Sequence, residues 1–429
     1  MAQAARARET ELRALSDMEE LANLSSAQLG SEIVFATDEW FAAADNMLQD
    51  GPAVWKADVY SDYGKWMDGW ECRRRRTEGH DWCLVKLGVP ASRVLFIEVD
   101  TAFFTGNFSP QVSVQGCFFE DESKALLDLG ALRKSIAAGR PDGRMGLAAS
   151  PEEAALAASL GTDSWPMIVP LTPLGAGYEE TRRTIFRIDD SAGYGGRKMS
   201  HLRINMGPDG GIARLRVYGE VYVHPSRIPR DADIDLAAVE VGGRAMGCSD
   251  AHYGHPRNLI APGRGTCMGD GWETARQPKR PPVYKRGADG LMVLPGCDWA
   301  ILKLGLLGAV SSIEVDTNFY KGNYPESCLI EGCYLPDATA EELQSLAPQS
   351  GGEWKVLPSP NPNRGEWKVL LARTRLGPSS LHRFVPEAAG GGVLSVGVLS
   401  HVRLTIYPDG GVMRLRLYGR GKAGELSRL

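Results

Sequence analysis

Apolar and polar residues alternate along several short segments of the chain, as they do in strands with one buried face. Leu202, Ile204 and Met206 alternate with polar residues, so the two sets point to opposite sides of one strand. The Pro-Asp-Gly-Gly sequence at 208–211 is typical of a hairpin turn, and the β-branched run at 94–100 indicates another strand. Short strands joined by tight turns predict an all-β protein, built as an antiparallel sandwich or jelly roll.

One region breaks this alternation. Residues 121–159 are rich in alanine and leucine, which predicts one or two helices. The corresponding segment after Pro336 is short. We therefore expect a short helical insertion in the first half of the chain only.

A set of short sequence blocks occurs twice, in the same order, which is the signature of a repeated structural unit. The spacing between partner blocks drifts, and this places insertions in the loops between them. The blocks are Asp-Gly-Trp-Glu at 68–71 and 270–273, Glu-Val-Asp-Thr at 98–101 and 314–317, Gly-Asn at 106–107 and 322–323, Ser-His-x-Arg at 200–203 and 400–403, and Pro-Asp-Gly-Gly at 208–211 and 408–411.

The repetition predicts two jelly-roll-like sandwich domains in tandem. A chain of 429 residues is too long for one hydrophobic core, and Pro225 and Pro229 mark a linker between the copies. The predicted organisation is an N-terminal tail at 1–28, repeat 1 at 29–224, a linker at 225–240, repeat 2 at 241–422 and a C-terminal tail at 423–429.

Composition narrows the classes of partner. The chain has 43% hydrophobic and 24% charged residues, which is ordinary for a globular protein. Its net charge of −5 provides no general basic field for nucleic acid. No apolar run approaches the roughly 18–20 residues that a membrane span needs. We therefore expect neither nucleic acid nor a membrane as a partner.

The first candidate site surrounds the tryptophan of the first repeated block. Asp68, Trp70 and Glu71 are followed closely by Arg73. A tryptophan can form the flat wall of a pocket, and carboxylates can accept N–H bonds from a ligand. The alternative is a loop whose tryptophans belong to the core and whose acids pair with the arginines.

A second candidate lies where a predicted strand ends. Asp100 closes the strand at 94–100, and Asn107 follows within the next turn. Loops after strands commonly carry sites on β-sandwiches. An aspartate at this position can equally cap the turn.

Histidine and arginine side chains supply candidates for proton transfer and for binding a carboxylate. His80, which is next to an aspartate, and His201 are candidate proton carriers. Arg203 shares a strand face with His201, and Arg216 lies on the following strand, so the two arginines predict a carboxylate clamp. The alternatives are a surface His–Asp pair and a solvated sheet face.

One string has metal-like spacing. Asp250, His252 and His255 bring carboxylate and imidazole groups close together along the chain. The corresponding segment of the first copy, at 38–40, contains no histidine. This favours a polar loop, and the three residues stay weak candidates for a metal site.

Longer strings resemble the allantoicase family. They are Trp-Met-Asp-Gly-Trp-Glu at 66–71, Gly-His-Asp-Trp-Cys at 79–83, Asp-Thr-Ala-Phe-Phe-Thr-Gly-Asn at 100–107 and Lys-Gly-Asn-Tyr-Pro-Glu-Ser-Cys at 321–328. The resemblance extends over nearly all of residues 29–422. It implies a tandem jelly roll, usually a homo-oligomer, that hydrolyses allantoate to (S)-ureidoglycolate and urea in purine and allantoin breakdown.

The resemblance gives the candidate residues roles. Allantoate carries a carboxylate, which an arginine would bind, and two ureido groups, which carboxylate and amide side chains would bind. The catalytic candidates are Glu71, His80, Asp100 and His201, and the substrate-binding candidates are Asp68, Trp70, Arg73, Asn107, Arg203 and Arg216. The candidates in repeat 2 are Asp270, Glu273, Asp316, Asn323, Glu326, His401 and Arg403. No cofactor is certain, although a divalent metal such as Mn is associated with some members of the family.

Three alternatives stay open at this point. A jelly-roll protein can bind ureides or carbohydrates without catalysis, and an enzyme acting on ureidoglycolate would share a ureido pocket. The second repeat can also be a degenerate copy that serves assembly, because Cys297 stands in place of His80. His401 and Arg403 are nevertheless retained.

The chain ends with Ser427-Arg428-Leu429, a close variant of the S-K-L peroxisomal address. We therefore predict a peroxisomal protein, with the cytoplasm as the alternative. A duplicated Glu-Trp-Lys-Val-Leu string marks an insertion at 353–364, to which we assign no function.

Overall fold

The computed structural model describes residues 18, 21–188, 197–223, 228–229, 231–279, 283–294, 296–345, 366–386 and 392–421. Most of the predicted N-terminal tail, the insertion at 353–364 and the chain end at 427–429 lie outside the described residues. Contacts divide the chain into one unit of residues 22–222 and another that contains residues 223–429. We call these units repeat 1 and repeat 2.

Repeat 1 consists mainly of antiparallel strands. They are β1 (Ala22–Asn23), β2 (Glu32–Ala36), β3 (Tyr60–Ser61), β4 (Gly64–Lys65), β5 (Trp70–Glu71), β6 (Trp82–Lys86), β7 (Ser92–Asp100), β8 (Gln111–Cys117), β9 (Met167–Pro173), β10 (Arg183–Arg187), β11 (His201–Met206), β12 (Gly211–Ile212) and β13 (Arg214–Val221). One sheet has the order β1-β13-β7-β10, the other has the order β2-β6-β11-β8-β9, and β5 pairs with β12.

Repeat 2 has corresponding strands. They are β14 (Ile234–Asp235), β15 (Arg244–Cys248), β16 (Trp272–Glu273), β17 (Lys285–Arg286), β18 (Met292–Val293), β19 (Asp298–Asp316), β20 (Ser327–Cys333), β21 (Lys368–Arg375), β22 (Leu381–Phe384), β23 (Leu399–Tyr407), β24 (Gly411–Val412) and β25 (Arg414–Gly421). β19 pairs with β15 and β23 in its first half, and with β22 and β25 in its second half. This single strand therefore takes the place of β6 and β7 of repeat 1.

Two strands fall within segments that the sequence predicted as tail and linker. β1 lies before residue 29, and it pairs with β13. β14 lies within 225–240, and it pairs with β25. In each repeat this short first strand pairs with two residues of the last strand and covers part of its free edge.

The alternation at 201–206 places its apolar side chains in the core, as predicted. Leu202, Ile204 and Met206 are at most 1% exposed. The opposite face is not solvated, however, because His201 and Arg203 are also buried. The reason is the helical insertion, which packs on this face of the sheet.

The predicted helical insertion in repeat 1 is confirmed. It consists of α1 (Lys124–Ala138) and α2 (Pro151–Ser159). In the described part of the corresponding segment, repeat 2 has the short α3 (Ala340–Ser345). Leu126, Leu129 and Ala157 of the helices pack against Leu84 of β6. No helix among the described residues is long and apolar enough to cross a membrane.

A buried ion network ties the helices to the sandwich. Arg133 of α1 donates to the two carboxylate oxygens of Glu39 at 2.5 and 2.7 Å. Arg144 reaches the same carboxylate at 2.9 Å and also pairs with Glu153 of α2 at 3.0 Å. Burial alone raises the pKa of Glu39, but Arg133, the Ala44 N–H and Arg144 together hold that pKa below its ordinary value.

We predict that Arg133→Met destabilises repeat 1 by about 3 kcal/mol, because it removes one partner of a buried ion pair. Urea unfolding followed by tryptophan fluorescence measures the change. Lys124→Ala, which removes an exposed pair on the same helix with Asp128, is the control and should cost no more than about 0.5 kcal/mol. Equal unfolding midpoints for Arg133→Met and the wild type would show that the network does not anchor the helices.

Candidate active site

The repeated sequence blocks meet because an aromatic ring packs directly on two glycines. Phe104 is fully buried, and a Cβ atom at Gly211 would lie 2.2 Å from its ring. A Cβ atom at Gly69 would lie 2.9 Å from the same ring. Only glycine allows this approach. The ring therefore fixes the loop after β7 against the β5–β12 pair.

Repeat 2 has the same construction with a tyrosine. Tyr320 is fully buried, and a Cβ atom at Gly411 or Gly271 would lie 2.1 or 2.4 Å from its side chain. Its hydroxyl also donates to the Met268 carbonyl at 2.7 Å. The frame that joins the repeated blocks is therefore the same in the two copies.

Each frame brings one glutamate and one asparagine together. The Asn107 amide donates to Glu71 Oε1 at 2.6 Å, and the Asn323 amide donates to Glu273 Oε1 at 2.5 Å. Burial raises the pKa of Glu71, although the Asn107 hydrogen bond and the charge of Arg74 oppose the increase. We call these two groups the Glu–Asn pairs.

An arginine stands beside the pair of repeat 1. Arg74 pairs with Asp209 of the Pro-Asp-Gly-Gly hairpin at 2.8 Å, and it donates to the Gly106 carbonyl at 3.0 Å. The other oxygen of Asp209 accepts the Arg75 N–H at 2.9 Å. Arg74 thus joins the hairpin, the loop of Asn107 and the segment after Glu71, while 56% of its side chain stays exposed.

This arrangement has the groups that hydrolysis of a small polar acid needs. Glu71 can exchange a proton, the Asn107 amide can orient it and bind a polar ligand group, and the Arg74 guanidinium can bind a carboxylate. All three lie on loops or short strands fixed by the same ring. The sequence blocks named as candidates converge here through Glu71 and Asn107.

The first two candidates near Glu71 have other contacts. Trp70 is fully buried, and its indole N–H donates to the Asp38 carbonyl at 2.8 Å, so the structure does not place it in the wall of a pocket. Asp68 pairs with Arg214 at 2.8 Å. Arg73 pairs with Asp38 at 2.7 Å.

The aspartates at the strand ends hold the turns that follow them. Asp100 accepts the Ala102 N–H at 2.8 Å and pairs with Arg182, and burial raises its pKa. Asp316 has the same role in repeat 2, where it pairs with Arg264 at 3.1 Å. Asp270 accepts two hydrogen bonds from Thr266, at 2.6 and 2.8 Å. Each of these carboxylates is thus engaged in the structure of its own loop.

The strand histidines lie at the opposite end of the sheet. His201 begins β11, and the 208–211 hairpin follows its last residue, so about 16 Å of strand separates them at ~3.3 Å per residue. Burial lowers the pKa of His201 to about 4 and that of His401 to about 3. Both are therefore neutral at pH 7. Nδ1 of each ring is hydrogen-bonded to the hydroxyl of the preceding serine at 2.9 Å.

His80 and the strand arginines form a separate polar cluster on the sheet face. His80 is exposed, with Nε2 3.1 Å from Asn205 Oδ1. Arg203 donates to the same oxygen at 2.8 Å and pairs with Asp163. Arg403 pairs with Glu331 in repeat 2 at 2.5 Å. These contacts hold the segments that pack on this face of the sheet. The two arginines are not bonded to the Glu–Asn pairs.

The remaining candidates serve loop structure. Arg216 donates to the carbonyls of Gln49, Asp50 and Gly51, so its guanidinium closes a loop. Glu326 accepts the Met292 N–H at 3.2 Å and lies 3.5 Å from Arg373.

The metal-like string is a polar loop. The Asp250 carboxylate accepts the Ala275 N–H at 2.6 Å, and His255 Nδ1 accepts the Arg257 N–H at 3.2 Å. His252 stacks edge-on against Tyr253. Within the described part of the chain, no group of three carboxylate, imidazole or thiol side chains is arranged to hold a metal, so these residues do not fit one.

Sequence reasoning missed Arg74 and Asp209 as members of the site. Asp209 is part of a repeated block that the pattern explains as a turn alone. Arg74 lies within the run 73–76, in which all four residues are arginine, so the sequence does not distinguish it from the others. A signal did exist, because the spacing from Glu71 to Arg74 recurs from Glu273 to Arg276.

Comparisons with known proteins agree on one family. A family model described as "Allantoicase repeat" matches residues 22–222 and 234–422. A relative from Pseudomonas fluorescens (strain Pf-5), named "Probable allantoicase", is 38% identical over 406 residues, which cover 94% of this chain and 97% of the relative. One of the same name from Photobacterium profundum is 36% identical over 405 residues, with 94% and 97% covered. The crystal structure of allantoicase from Saccharomyces cerevisiae has a TM-score of 0.63 and 29% identity, and the match covers 96% of this chain and 98% of that one.

We predict that Gly211→Ala displaces Phe104 and destabilises repeat 1 by about 1–3 kcal/mol, because the new methyl group overpacks the frame. Thermal unfolding measures the change. Gly106→Ala is the matched control, since a Cβ atom there meets nothing within 4 Å. Adding Phe104→Leu to Gly211→Ala should restore part of the stability, and a Gly211→Ala variant as stable as the control would contradict the packing argument.

Proposed function

Because the chain belongs to the allantoicase family, we propose that it performs the family reaction at the Glu71–Asn107 pair. The chain is a hydrolase that cleaves allantoate with water and releases urea and ureidoglycolate, in purine breakdown. One observation carries the assignment of the site. The same Glu–Asn hydrogen bond, at 2.6 and 2.5 Å, is built from the same repeated blocks in both copies.

The reaction replaces a C–N bond at the central carbon of allantoate with a C–O bond. In our proposal Glu71, as the carboxylate, accepts a proton from the attacking water. The oxygen of that water bonds to the central carbon as the C–N bond to one ureido group breaks. The proton then passes from Glu71 to the departing nitrogen, which leaves as neutral urea. Glu71 is regenerated as the carboxylate, so protons and charge balance.

Burial suits Glu71 to this role. Burial raises the pKa of Glu71, which makes its carboxylate a stronger base than that of an exposed glutamate. The Asn107 amide donates to Oε1, and we assign the proton transfer to Oε2. The hydrogen bond thereby orients the base.

Arg74 is the group we propose to bind the carboxylate of allantoate. Asp209 and the Gly106 carbonyl fix its guanidinium beside the pair, so little conformational entropy is lost when a ligand binds. This replaces the earlier candidates Arg203 and Arg216, which are engaged elsewhere. The binding-module alternative is not favoured, because the family is one of hydrolases.

Oligomeric state and cellular location are proposed from the sequence. We propose a homo-oligomer, on the family resemblance, and a peroxisomal location, on the sequence of residues 427–429. A divalent metal such as Mn stays a prediction, although no group of three candidate ligand side chains is arranged to hold one among the described residues.

We predict that Glu71→Gln lowers kcat by about 10²–10⁴-fold, the usual contribution of a general base. Urea release from allantoate by the purified full-length chain measures the change. Glu78→Gln, an exposed glutamate of the same segment, is the control and should keep wild-type turnover. Wild-type kcat in folded Glu71→Gln protein would remove this site from the mechanism.

We predict that kcat/KM falls as the pH drops through the pKa of Glu71, because the base must be deprotonated. That acid limb should lie above the ordinary glutamate pKa of 4.5. Asn107→Ala removes a hydrogen bond that favours the charged form, so it should raise the pKa and move the limb to higher pH. A pH–rate profile of each protein tests this, and an unmoved limb in Asn107→Ala would show that the pair does not control the base.

A further inference from the structure

The Glu–Asn pair of repeat 2 stands in a frame that is chemically equivalent to that of repeat 1. Gly410 donates its N–H to Thr274 Oγ1 at 3.1 Å, as Gly210 does to Cys72 Sγ at 3.2 Å. Asp409 accepts a backbone N–H at 2.8 Å, as Asp209 does at 2.9 Å. A carboxylate and an amide that can bind a ureido group are therefore present in both copies.

The loop beside the pair differs between the copies. In each copy an arginine of the last strand anchors both ends of this loop through its carbonyls, at Gly51 and Asp68 in repeat 1 and at Gly263 and Asp270 in repeat 2. The segment between the anchors spans residues 52–67 in repeat 1 but only 264–269 in repeat 2. We call residues 52–67 the wall loop.

The ammonium group of Lys65 joins several residues of the wall loop. Lys65 Nζ donates to the carbonyls of Lys56, Ala57 and Val59, at 2.6, 2.5 and 3.2 Å. The same ammonium lies 4.7 Å from the ring of Trp55 and 4.8 Å from that of Tyr60. These contacts hold an otherwise irregular segment in one shape.

The wall loop touches both sides of the repeat-1 site. Trp55 lies 5.8 Å from Phe103, in the loop that carries Asn107. At the other end Tyr63 packs against Trp40 at 5.6 Å, and Trp40 in turn stacks under Arg73 at 4.5 Å. The loop therefore contacts residues on both sides of the segment that carries Glu71.

The residues after the glutamate also differ. Ala275 and Gln277 of repeat 2 stand where repeat 1 has Arg73 and Arg75. Glu71 is buried, at 8% exposure, whereas Glu273 is only half-buried. The repeat-2 pair thus keeps its carboxylate and its amide, but the loop beside it is shorter and its carboxylate is more exposed.

We infer that the two repeats divide the work: repeat 1 hydrolyses allantoate, and the Glu273–Asn323 pair binds a ureide without turning it over. The inference rests on the proposed function, because it assigns catalysis to the Glu–Asn pair of repeat 1. Its physical cause is the solvation of the base. A dry site strengthens the electrostatic interactions that act on the transition state, and a wet site binds polar groups without that gain.

Turnover of the Glu71→Gln variant tests the division. We expect this variant to lower kcat by about 10²–10⁴-fold. Two equal and independent sites would instead leave about half of kcat in the same variant, which would overturn the division. The full wild-type kcat in folded Glu71→Gln protein would overturn the proposed function itself, so the two failures are distinguishable.

Binding of labelled allantoate to the Glu71→Gln chain, by equilibrium dialysis, tests the second site. We expect two molecules bound per chain, and one after Asn323→Ala is added. One molecule per chain in Glu71→Gln, unchanged by Asn323→Ala, would overturn binding at repeat 2.

Opening the wall loop tests the proposed cause. Lys65→Met should lower kcat and move the acid limb of kcat/KM to lower pH, because a wetter Glu71 has a pKa nearer to its ordinary value. Thermal unfolding checks that the fold is kept. A folded Lys65→Met protein with the wild-type kcat and pH profile would show that the wall loop does not set the solvation of the base.

Discussion

The contact between a buried aromatic ring and two glycines is the constraint on which each site depends. Phe104 in repeat 1 and Tyr320 in repeat 2 occupy the space where Cβ atoms of Gly211 and Gly411 would stand. Protein interiors are close-packed, so this space cannot be shared. The ring therefore joins three chain segments that are distant in sequence, and the Glu–Asn hydrogen bond forms where they meet.

Charge pairing then fixes the groups around this frame. The arginines that follow Glu71 look like one basic run, but Arg73, Arg74 and Arg75 pair with three different aspartates at 2.7–2.9 Å. Each pair orients one guanidinium and neutralises one buried carboxylate. The result is a polar site whose dipoles are held in place before a ligand arrives, which is the arrangement that favours catalysis.

The duplication shows which parts of the module are fixed and which are free to change. The frame, the hairpin and the Glu–Asn pair occur in both copies because each depends on close packing or on buried hydrogen bonds. Loops tolerate insertions because they lie at the surface. Repeat 1 has two such insertions, the wall loop and the helices that Glu39 anchors. The environments of the two Glu–Asn pairs therefore differ.

The sequence by itself determined the fold class, the duplication and half of the site. Alternation with period two, turn signals and repeated blocks follow from local geometry. The sandwich fold and the candidates Glu71 and Asn107 could therefore be predicted from the sequence. Only the tertiary structure decided which polar residues meet. His201 and Arg203 share a motif with the hairpin, yet His201 lies at the far end of the strand and Arg203 pairs with Asp163. Trp70, next to Glu71, is fully buried. Arg74 joins the site through Asp209, which is far away in sequence, because packing of Phe104 on glycine brings their segments together.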